Sequence, residues 1–402
     1  MSAGRAATVV ALGTAQTLAW ASTYYLPAIL AEPMARELGT TAATVFAAFS
    51  AALVVSAVVG PHAGGLIDRH GGRPVLLASS ALFALGLAAL GLAQGPASLV
   101  LAWLLLGLGM GSGLYEAAFA TLVRLHGPEA RPSITGITLI AGFASTVGWP
   151  LSAWLESHHG WRQACFTWAA LHLLLGAPLN AWLPRAGSPV SALAGASPPT
   201  PPGPRAPPPE VAWRPLLLLS YVFAATWFIS TAMAAHLPRL MQATGATAAT
   251  ALWVGALIGP AQVAARLLEF GLLRRLHPLQ SARVAAALHP AGALLLGVAG
   301  PVAAPAFGVL HGAGNGILTI AKGTLPLVLF GSAGYGRRQG WLMVPARAAQ
   351  ALAPWLFGLA LDGLGAGAWV VSAGLGASAW LALVVLGPVR DGPPPCAPDA
   401  PR

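Results

Sequence analysis

The chain has 402 residues, of which 56% are hydrophobic and only 8% are charged. Soluble domains carry about 25% charged residues, so this composition excludes a water-soluble globular protein and predicts one that is embedded in a lipid bilayer. The net charge of +10 would indicate a nucleic-acid partner in a soluble protein, but here the arginines are spread between apolar segments, which indicates membrane topology and no nucleic acid.

Apolar stretches long enough to span a membrane follow one another along the chain, since a spanning helix needs about 20 apolar residues. Only helices or closed barrels satisfy the backbone in lipid, and these stretches are too long for barrel strands. We therefore predict an all-α polytopic membrane protein with twelve transmembrane helices. The stretches cover roughly 6–30, 42–65, 74–93, 98–123, 133–155, 162–183, 215–238, 247–271, 281–301, 303–330, 340–361 and 366–388.

A proline-rich stretch divides the twelve predicted helices into two sets of six. Pro184 to Pro209 contains ten prolines, a composition typical of an extended linker. We predict an N-terminal half at 1–184, a cytoplasmic linker at 185–213 and a C-terminal half at 214–388. The proline-rich residues 389–402 are predicted to form a disordered tail.

An internal repeat indicates that the two halves are related. Gly39–Thr44 recurs as Gly245–Thr250, 206 residues later, and Arg131 matches Arg337 at the same offset. An offset close to half the chain length predicts two halves with the same topology.

The positive charges predict the orientation of the chain. With the N-terminus in the cytoplasm, fifteen arginines fall on the cytoplasmic side and three on the opposite side, as the positive-inside rule requires. Both termini are then cytoplasmic. High Ala, Gly, Arg and Pro usage with a single lysine indicates a GC-rich bacterial genome and hence a bacterial inner membrane.

Two charged residues inside apolar stretches are candidates for function, because a charge in the membrane is costly. Glu116 lies in the fourth stretch, and Lys322 lies in the tenth, 206 residues later. Two functional roles stay open: a salt bridge between the halves, or Lys322 binding an anionic substrate while Glu116 carries a coupling proton. A purely structural ion pair is the third interpretation.

Other polar and aromatic residues are candidates for substrate binding or coupling. His311 and Asn315 share a helical face with Lys322, which predicts contact with water, a ligand or a polar partner. Tyr24 and Trp227 lie in the first and seventh stretches beside hydroxyl side chains and suit an amphipathic substrate. Packing is the alternative for His311, and packing or a membrane-interface position is the alternative for the aromatic residues.

Four further charges are interpreted as gates or structural networks. Arg266 and Glu269 are three residues apart on the eighth stretch and share a face. Arg131 precedes the fifth stretch, and Arg347 lies in the eleventh.

The turn after the second stretch has the spacing G-x-x-x-D-R-x-G-x-R, formed by Gly64, Asp68, Arg69, Gly71 and Arg73. This motif resembles the loop between helices two and three of the major facilitator superfamily of transporters. The resemblance implies two pseudo-symmetric six-helix halves, a central cavity lined by helices one, four, seven and ten, and a loop that stabilises one conformation. Pro74 stands where the family often has a second basic residue.

Scattered positions are similar to one branch of that family. The Gly-rich fourth stretch ending in Tyr115, and the pair Trp161-Arg162, resemble the monocarboxylate-type branch. The arginine that many drug exporters of the family carry in helix four has no counterpart in Leu104 to Gly113.

These features together predict a secondary active transporter of a small solute that works by alternating access. We expect proton coupling, a small organic anion such as a monocarboxylate as substrate, a functional monomer and no cofactor or metal. Efflux of a drug or toxic oxyanion is the alternative. An intramembrane enzyme is not expected, since no H-E-x-x-H motif occurs, and a receptor without turnover stays open.

Overall fold

The computed structural model describes residues 3–185, 213–272 and 276–387. These residues form helices, short turns and no β-strand, which confirms the all-α prediction. The predicted linker, apart from its first and last residues, and the predicted tail lie outside the described residues.

Fifteen α-helices are present in the described residues. In chain order they are α1 (Ala3–Ser22), α2 (Pro27–Glu37), α3 (Ala42–His70), α4 (Gly72–Gly91), α5 (Pro96–Gly113), α6 (Tyr115–His126), α7 (Arg131–Ala141), α8 (Ala144–Leu171), α9 (Ala177–Trp182), α10 (Trp213–Ala243), α11 (Ala248–Gly271), α12 (Pro278–Ala299), α13 (Ala304–Phe330), α14 (Tyr335–Leu364) and α15 (Trp369–Val385).

These helices combine into twelve spans within the described residues. Seven helical runs there are long and apolar enough to cross a membrane, and three of them contain more than one span. The chain turns inside these three runs at glycines with positive φ, a conformation that suits glycine. These glycines are Gly127, Gly160, Gly300 and Gly365. The seven runs thus contain eleven spans, and α1 with α2 forms the remaining span, which is the first.

Three spans are interrupted where the sequence predicted a continuous helix. The first span is broken between Ser22 and Pro27, and the fifth is broken at Gly142 and Phe143. The fourth is broken at Leu114, which has extended backbone angles. The break leaves carbonyl groups of α5 without helical partners. Gln16 donates a hydrogen bond of 2.7 Å to one of them, the Gly113 carbonyl.

The repeated hexapeptide forms the same structure in both halves. Gly39 and Gly245 have positive φ angles of 62° and 92°. Two residues later, the hydroxyls of Thr41 and Thr247 accept a hydrogen bond from the backbone N–H three residues on, and so cap α3 and α11. The pseudo-symmetry predicted from the sequence is therefore confirmed at this position.

Large apolar side chains cover much of the outer surface. Leu174, Val298 and Val302 are 77%, 85% and 86% exposed. An apolar surface of this extent is unsuited to water and suits contact with lipid tails, which confirms an integral membrane protein.

The closest approach between the two halves is made by α3 and α14. A Cβ built on Gly64 would lie 2.0 Å from the carbonyl oxygen of Gly336, and one built on Gly340 would lie 2.4 Å from Cα of Pro61. Only glycine permits backbones to pack at this separation. These contacts hold the halves together next to the polar turn at Asp68.

We predict that Gly64→Ala destabilises the protein, whereas Gly65→Ala on the neighbouring position does not. Both variants gain helix propensity, but the nearest atom to a Cβ at Gly65 is 4.0 Å away. Gly64→Ala should lower stability by about 1–3 kcal/mol, as overpacking does. Thermal unfolding in detergent measures the difference, and equal midpoints for the two variants would show that the α3–α14 contact is loose.

Candidate functional site

An ion pair joins the two halves in the interior of the protein. The break at Leu114 places Glu116 in the first turn of α6, where the helix dipole favours a negative charge. One terminal nitrogen of Arg347, on α14, lies 3.2 and 3.0 Å from the two carboxylate oxygens of Glu116. The Glu116 side chain is 15% exposed and the Arg347 side chain is 3% exposed, so solvent screens this pair little.

Hydrogen bonds extend from the ion pair to the first and seventh spans. Arg347 donates to the side-chain oxygen of Gln350 at 3.0 Å, and Gln350 donates to the Tyr24 hydroxyl at 2.8 Å. The Tyr24 hydroxyl also lies 3.4 Å from that of Thr231. This network connects α6 and the end of the first helix to the second half.

Lys322 lies beside this network without a carboxylate partner. The residue is 7% exposed, and its ammonium nitrogen lies 3.8 Å from the ring centroid of Trp227. Among the described residues, the ammonium forms no ion pair and no hydrogen bond. The described contact of the ammonium is with the face of an aromatic ring, an arrangement that favours a cation.

Of the interpretations left open by the sequence, a salt bridge between Glu116 and Lys322 is not present among the described residues, because Glu116 pairs with Arg347. The planar guanidinium can donate several hydrogen bonds to a carboxylate, which a compact ammonium matches less well. Arg347, interpreted from the sequence as a gate or structural charge, is therefore part of the central network.

Aromatic side chains from both halves lie next to this network, and Trp227 contacts both Lys322 and Arg347. The Trp20 and Trp227 rings are nearly parallel, at 4°, with centroids 6.2 Å apart. Tyr115 lies 4.9 Å from Trp20, and Tyr24 lies 6.2 Å from Trp227. We name Trp20, Tyr24, Tyr115 and Trp227 the aromatic cage; they lie on the first, fourth and seventh spans, as the family resemblance implied.

His311 lies outside the aromatic cage. Its ring stacks on Phe307 at 5.6 Å and meets His289 of α12 at 5.1 Å. The Asn315 amide nitrogen lies 3.0 Å from the Nε2 of His311. The polar residues of α13 therefore have two different environments. Lys322 lies at the aromatic cage, whereas His311 packs against α12.

The motif residue Asp68 binds the N-terminus of α14. Its carboxylate accepts hydrogen bonds from the backbone N–H groups of Gly336 at 2.8 Å and Arg337 at 2.9 Å. A helix N-terminus is a favourable site for an anion. Gly71, with φ 82°, ends α3, and the exposed Arg69 lies beside Asp68.

A second set of contacts joins the halves at the same end of the bundle, which we call the Asp68 end. Arg131 lies 3.3 Å from a Glu269 carboxylate oxygen and donates to the Leu276 carbonyl at 3.3 Å. Arg266 donates to the Thr138 carbonyl on α7 at 3.1 Å. These charges therefore link α7 of the first half to α11 of the second.

Ion pairs at the opposite end of the bundle, which we call the Glu37 end, stay within one half. Glu37 binds Arg162 at 2.7 Å, and Asp362 binds Arg239 at 2.8 Å. The hydrogen bond from Arg162 holds the pKa of Glu37 below its ordinary value. The described ion pairs and charge contacts between the halves thus lie at the centre and at the Asp68 end.

A small cavity separates the α3–α14 contact from the ion pair. Its volume is about 10 Å³, close to the minimum for one water molecule. It is lined by Ser56, Ala57, Gly60, Gly111, Glu116, Gly340, Met343 and Arg347.

Some partners in the site carry no sequence signal. The donors that bind Asp68 are backbone N–H groups, which every residue except proline supplies. His289 is also absent from the residues selected by sequence, since a lone histidine in an apolar stretch is usually a packing residue.

Comparisons with known proteins agree with the fold. The gallate transporter of Pseudomonas putida is 31% identical over 156 residues, which are 38% of this chain and 34% of that protein. The multidrug resistance protein MdtH of Shigella flexneri is 31% identical over 148 residues, 37% of this chain and 36% of that protein. The chain thus matches about a third of the length of these curated relatives.

The human organic anion transporter MFSD10 has a similar structure, with a TM-score of 0.72 at 19% identity over 96% of this chain and 100% of that chain. The family model described as the Major Facilitator Superfamily matches residues 12–319. That range is well over half of the chain. It confirms the resemblance carried by the Asp68 motif and indicates a transporter and not an enzyme. The chain belongs to the major facilitator superfamily.

Proposed function

We propose that this protein is a secondary active transporter that moves a small organic anion, such as a monocarboxylate, by alternating access with proton coupling. The observation that carries the proposal is Lys322, a buried cation at the centre of the molecule with no carboxylate partner among the described residues. A buried charge without a counter-charge is costly. A bound carboxylate supplies that counter-charge.

The charge balance of the interior supports an anionic substrate. Three basic side chains, Arg266, Lys322 and Arg347, are buried, and of these only Arg347 has a carboxylate partner. Arg266 is held by the Thr138 carbonyl. Glu116 and Glu269 are each paired with an arginine, so the interior carries an excess of positive charge, which attracts anions and repels cations.

The contacts between the halves support alternating access. At the Asp68 end, α3 packs on α14 and α7 is linked to α11, whereas the ion pairs at the Glu37 end lie within single halves. This arrangement is closed at the Asp68 end. Transport would require the halves to separate there, which breaks the bonds from Asp68 and Arg131. Glu116, the acid at the centre, is the candidate for carrying the coupling proton.

Location and assembly follow from the same proposal. Among the described residues, the Asp68 end carries most of the arginines, and it would face the cytoplasm with both termini. The curated relatives from Pseudomonas putida and Shigella flexneri support a bacterial inner membrane. We propose a functional monomer without a cofactor, whose partners are the substrate, protons and lipid.

Efflux of a drug or oxyanion is the second candidate. The resemblance to MdtH, whose name describes multidrug resistance, and the aromatic cage favour it. The unpaired Lys322 disfavours a cationic drug, because it repels positive charge at the centre. The resemblance to a gallate transporter supports an organic anion.

We predict that Lys322→Met weakens carboxylate binding and that Lys322→Arg weakens it less. A charge-assisted hydrogen bond contributes about 1.5–3 kcal/mol, so the dissociation constant should rise at least about tenfold in Lys322→Met. Thermal stabilisation of the purified protein by acetate, lactate and benzoate measures the effect, with tetraphenylphosphonium as the cationic comparison.

The matched control is Thr324→Val, since Thr324 is buried on the same helix and its hydroxyl binds only the Ile320 carbonyl of that helix. Its carboxylate binding should equal that of the wild type. Stabilisation by carboxylates that survives in Lys322→Met, or stabilisation by the lipophilic cation alone, would refute the anion proposal.

We predict that Asp68→Asn favours opening of the Asp68 end, because the neutral amide binds the N-terminus of α14 more weakly. The accessibility of a cysteine introduced at Ala57, in the cavity behind the α3–α14 contact, should increase in a background without Cys165 and Cys396. The rate of maleimide labelling measures it. Asp362→Asn removes an exposed carboxylate at the Glu37 end and should leave the rate unchanged; equal rates in both variants would contradict the prediction.

A further inference from the structure

Buried polar atoms in and beside the aromatic cage have no hydrogen-bond partner among the described residues. The indole N–H groups of Trp20 and Trp227 and the side-chain oxygen of Gln16 are enclosed without a hydrogen bond. Trp20 and Gln16 are 3% and 2% exposed, and Trp227 is 9% exposed. Unpaired buried donors and acceptors are rare and costly. Two donors and one acceptor on neighbouring spans are groups that a bound ligand can satisfy.

The residues that carry these atoms lie on the first and seventh spans. Gln16 is four residues before Trp20 on α1, one helical turn away on the same face. The amide nitrogen of Gln16 is already used by the Gly113 carbonyl, which leaves its oxygen as the free acceptor. The nearly parallel rings of Trp20 and Trp227 come from opposite halves.

The cage also offers aromatic faces next to a cation. The Lys322 ammonium lies over the Trp227 ring at 3.8 Å, and Tyr115 adds a further ring beside Trp20. An aliphatic carboxylate would satisfy Lys322 but gain little from these faces. A planar aromatic ring can stack on them, since aromatic pairs favour offset-stacked and edge-to-face arrangements.

We propose that the ligand of this site is a planar aromatic carboxylate that carries a ring hydroxyl. Its carboxylate binds Lys322, its ring packs against Trp20 and Trp227, and its hydroxyl donates to the Gln16 side-chain oxygen and accepts from an indole N–H. This inference rests on the proposed function, because it narrows the organic anion to one chemical class.

Matched pairs of ligands test each part of the proposal on the wild-type protein. Benzoate and cyclohexanecarboxylate have the same charge and similar size, but only benzoate has aromatic faces. Benzoate and 4-hydroxybenzoate differ by one hydroxyl. Isothermal titration calorimetry in detergent measures the dissociation constants, with acetate as the small carboxylate. We expect benzoate to bind about three- to tenfold more tightly than cyclohexanecarboxylate, and 4-hydroxybenzoate about tenfold more tightly than benzoate.

Variants test which residue is responsible for the aromatic preference and which for the hydroxyl preference. Each preference is measured as the ratio of two ligand affinities in the same variant, and a general loss of stability would leave that ratio unchanged. Trp227→Leu should lower the benzoate to cyclohexanecarboxylate ratio towards one, because only the Trp20 ring remains for stacking. Gln16→Met should lower the 4-hydroxybenzoate to benzoate ratio towards one, because only the indole N–H remains to bind the hydroxyl. Trp103→Leu is the control, because Trp103 is a fully buried indole, also without a hydrogen bond, outside the cage. Both ratios should stay at wild-type values there.

The outcomes separate this inference from the proposed function. If cyclohexanecarboxylate binds as tightly as benzoate and both depend on Lys322, the anion proposal stands and the aromatic inference is overturned. The inference is also overturned if the ratios persist in Trp227→Leu and Gln16→Met. If no carboxylate binds and tetraphenylphosphonium does, both proposals fail. The comparison of ligands on the wild type decides the case even if a variant does not fold.

Discussion

The ion pair between Glu116 and Arg347 is the interaction on which the centre of this protein depends. Each residue comes from a different half; the Arg347 side chain is 3% exposed and the Glu116 side chain 15%. Removing one partner of such a pair costs about 3–5 kcal/mol, because the other charge stays buried. Because Glu116 is paired with Arg347, Lys322 has no carboxylate partner among the described residues and contacts the Trp227 ring. This unpaired positive charge is the basis for proposing an anionic substrate.

Helix ends and glycines supply the remaining contacts between the halves. Asp68 binds the N-terminus of α14, and Arg266 binds a carbonyl in the last turn of α7. Each charge has the sign that the helix dipole favours. Bonds of this kind form only when the helix ends approach closely, as Gly64 and Gly336 allow. They are therefore suited to breaking and forming as two rigid halves move.

The sequence predicted features that lipid and local geometry impose. Span lengths follow from bilayer thickness, and the repeated Gly39–Thr44 turn follows from its glycine and N-cap threonine. The break at Leu114 and the partner of Glu116 were not predictable in this way. The offset of 206 residues relates Glu116 to Lys322 by symmetry, but symmetric positions need not be in contact. Which basic side chain reaches the carboxylate depends on the approach of α14, a property of the packed helices.

Distances between spin labels at the two ends of the bundle would test alternating access most directly. Ala43 and Ala249 are exposed, symmetry-related positions at the Glu37 end, and His70 and Leu276 are their counterparts at the Asp68 end. Each pair would be replaced by labelled cysteines in a protein without Cys165 and Cys396. On addition of benzoate under a change of pH, double electron–electron resonance should show one distance increasing while the other decreases. Distances that stay fixed, or that change in the same direction at both ends, would contradict the account.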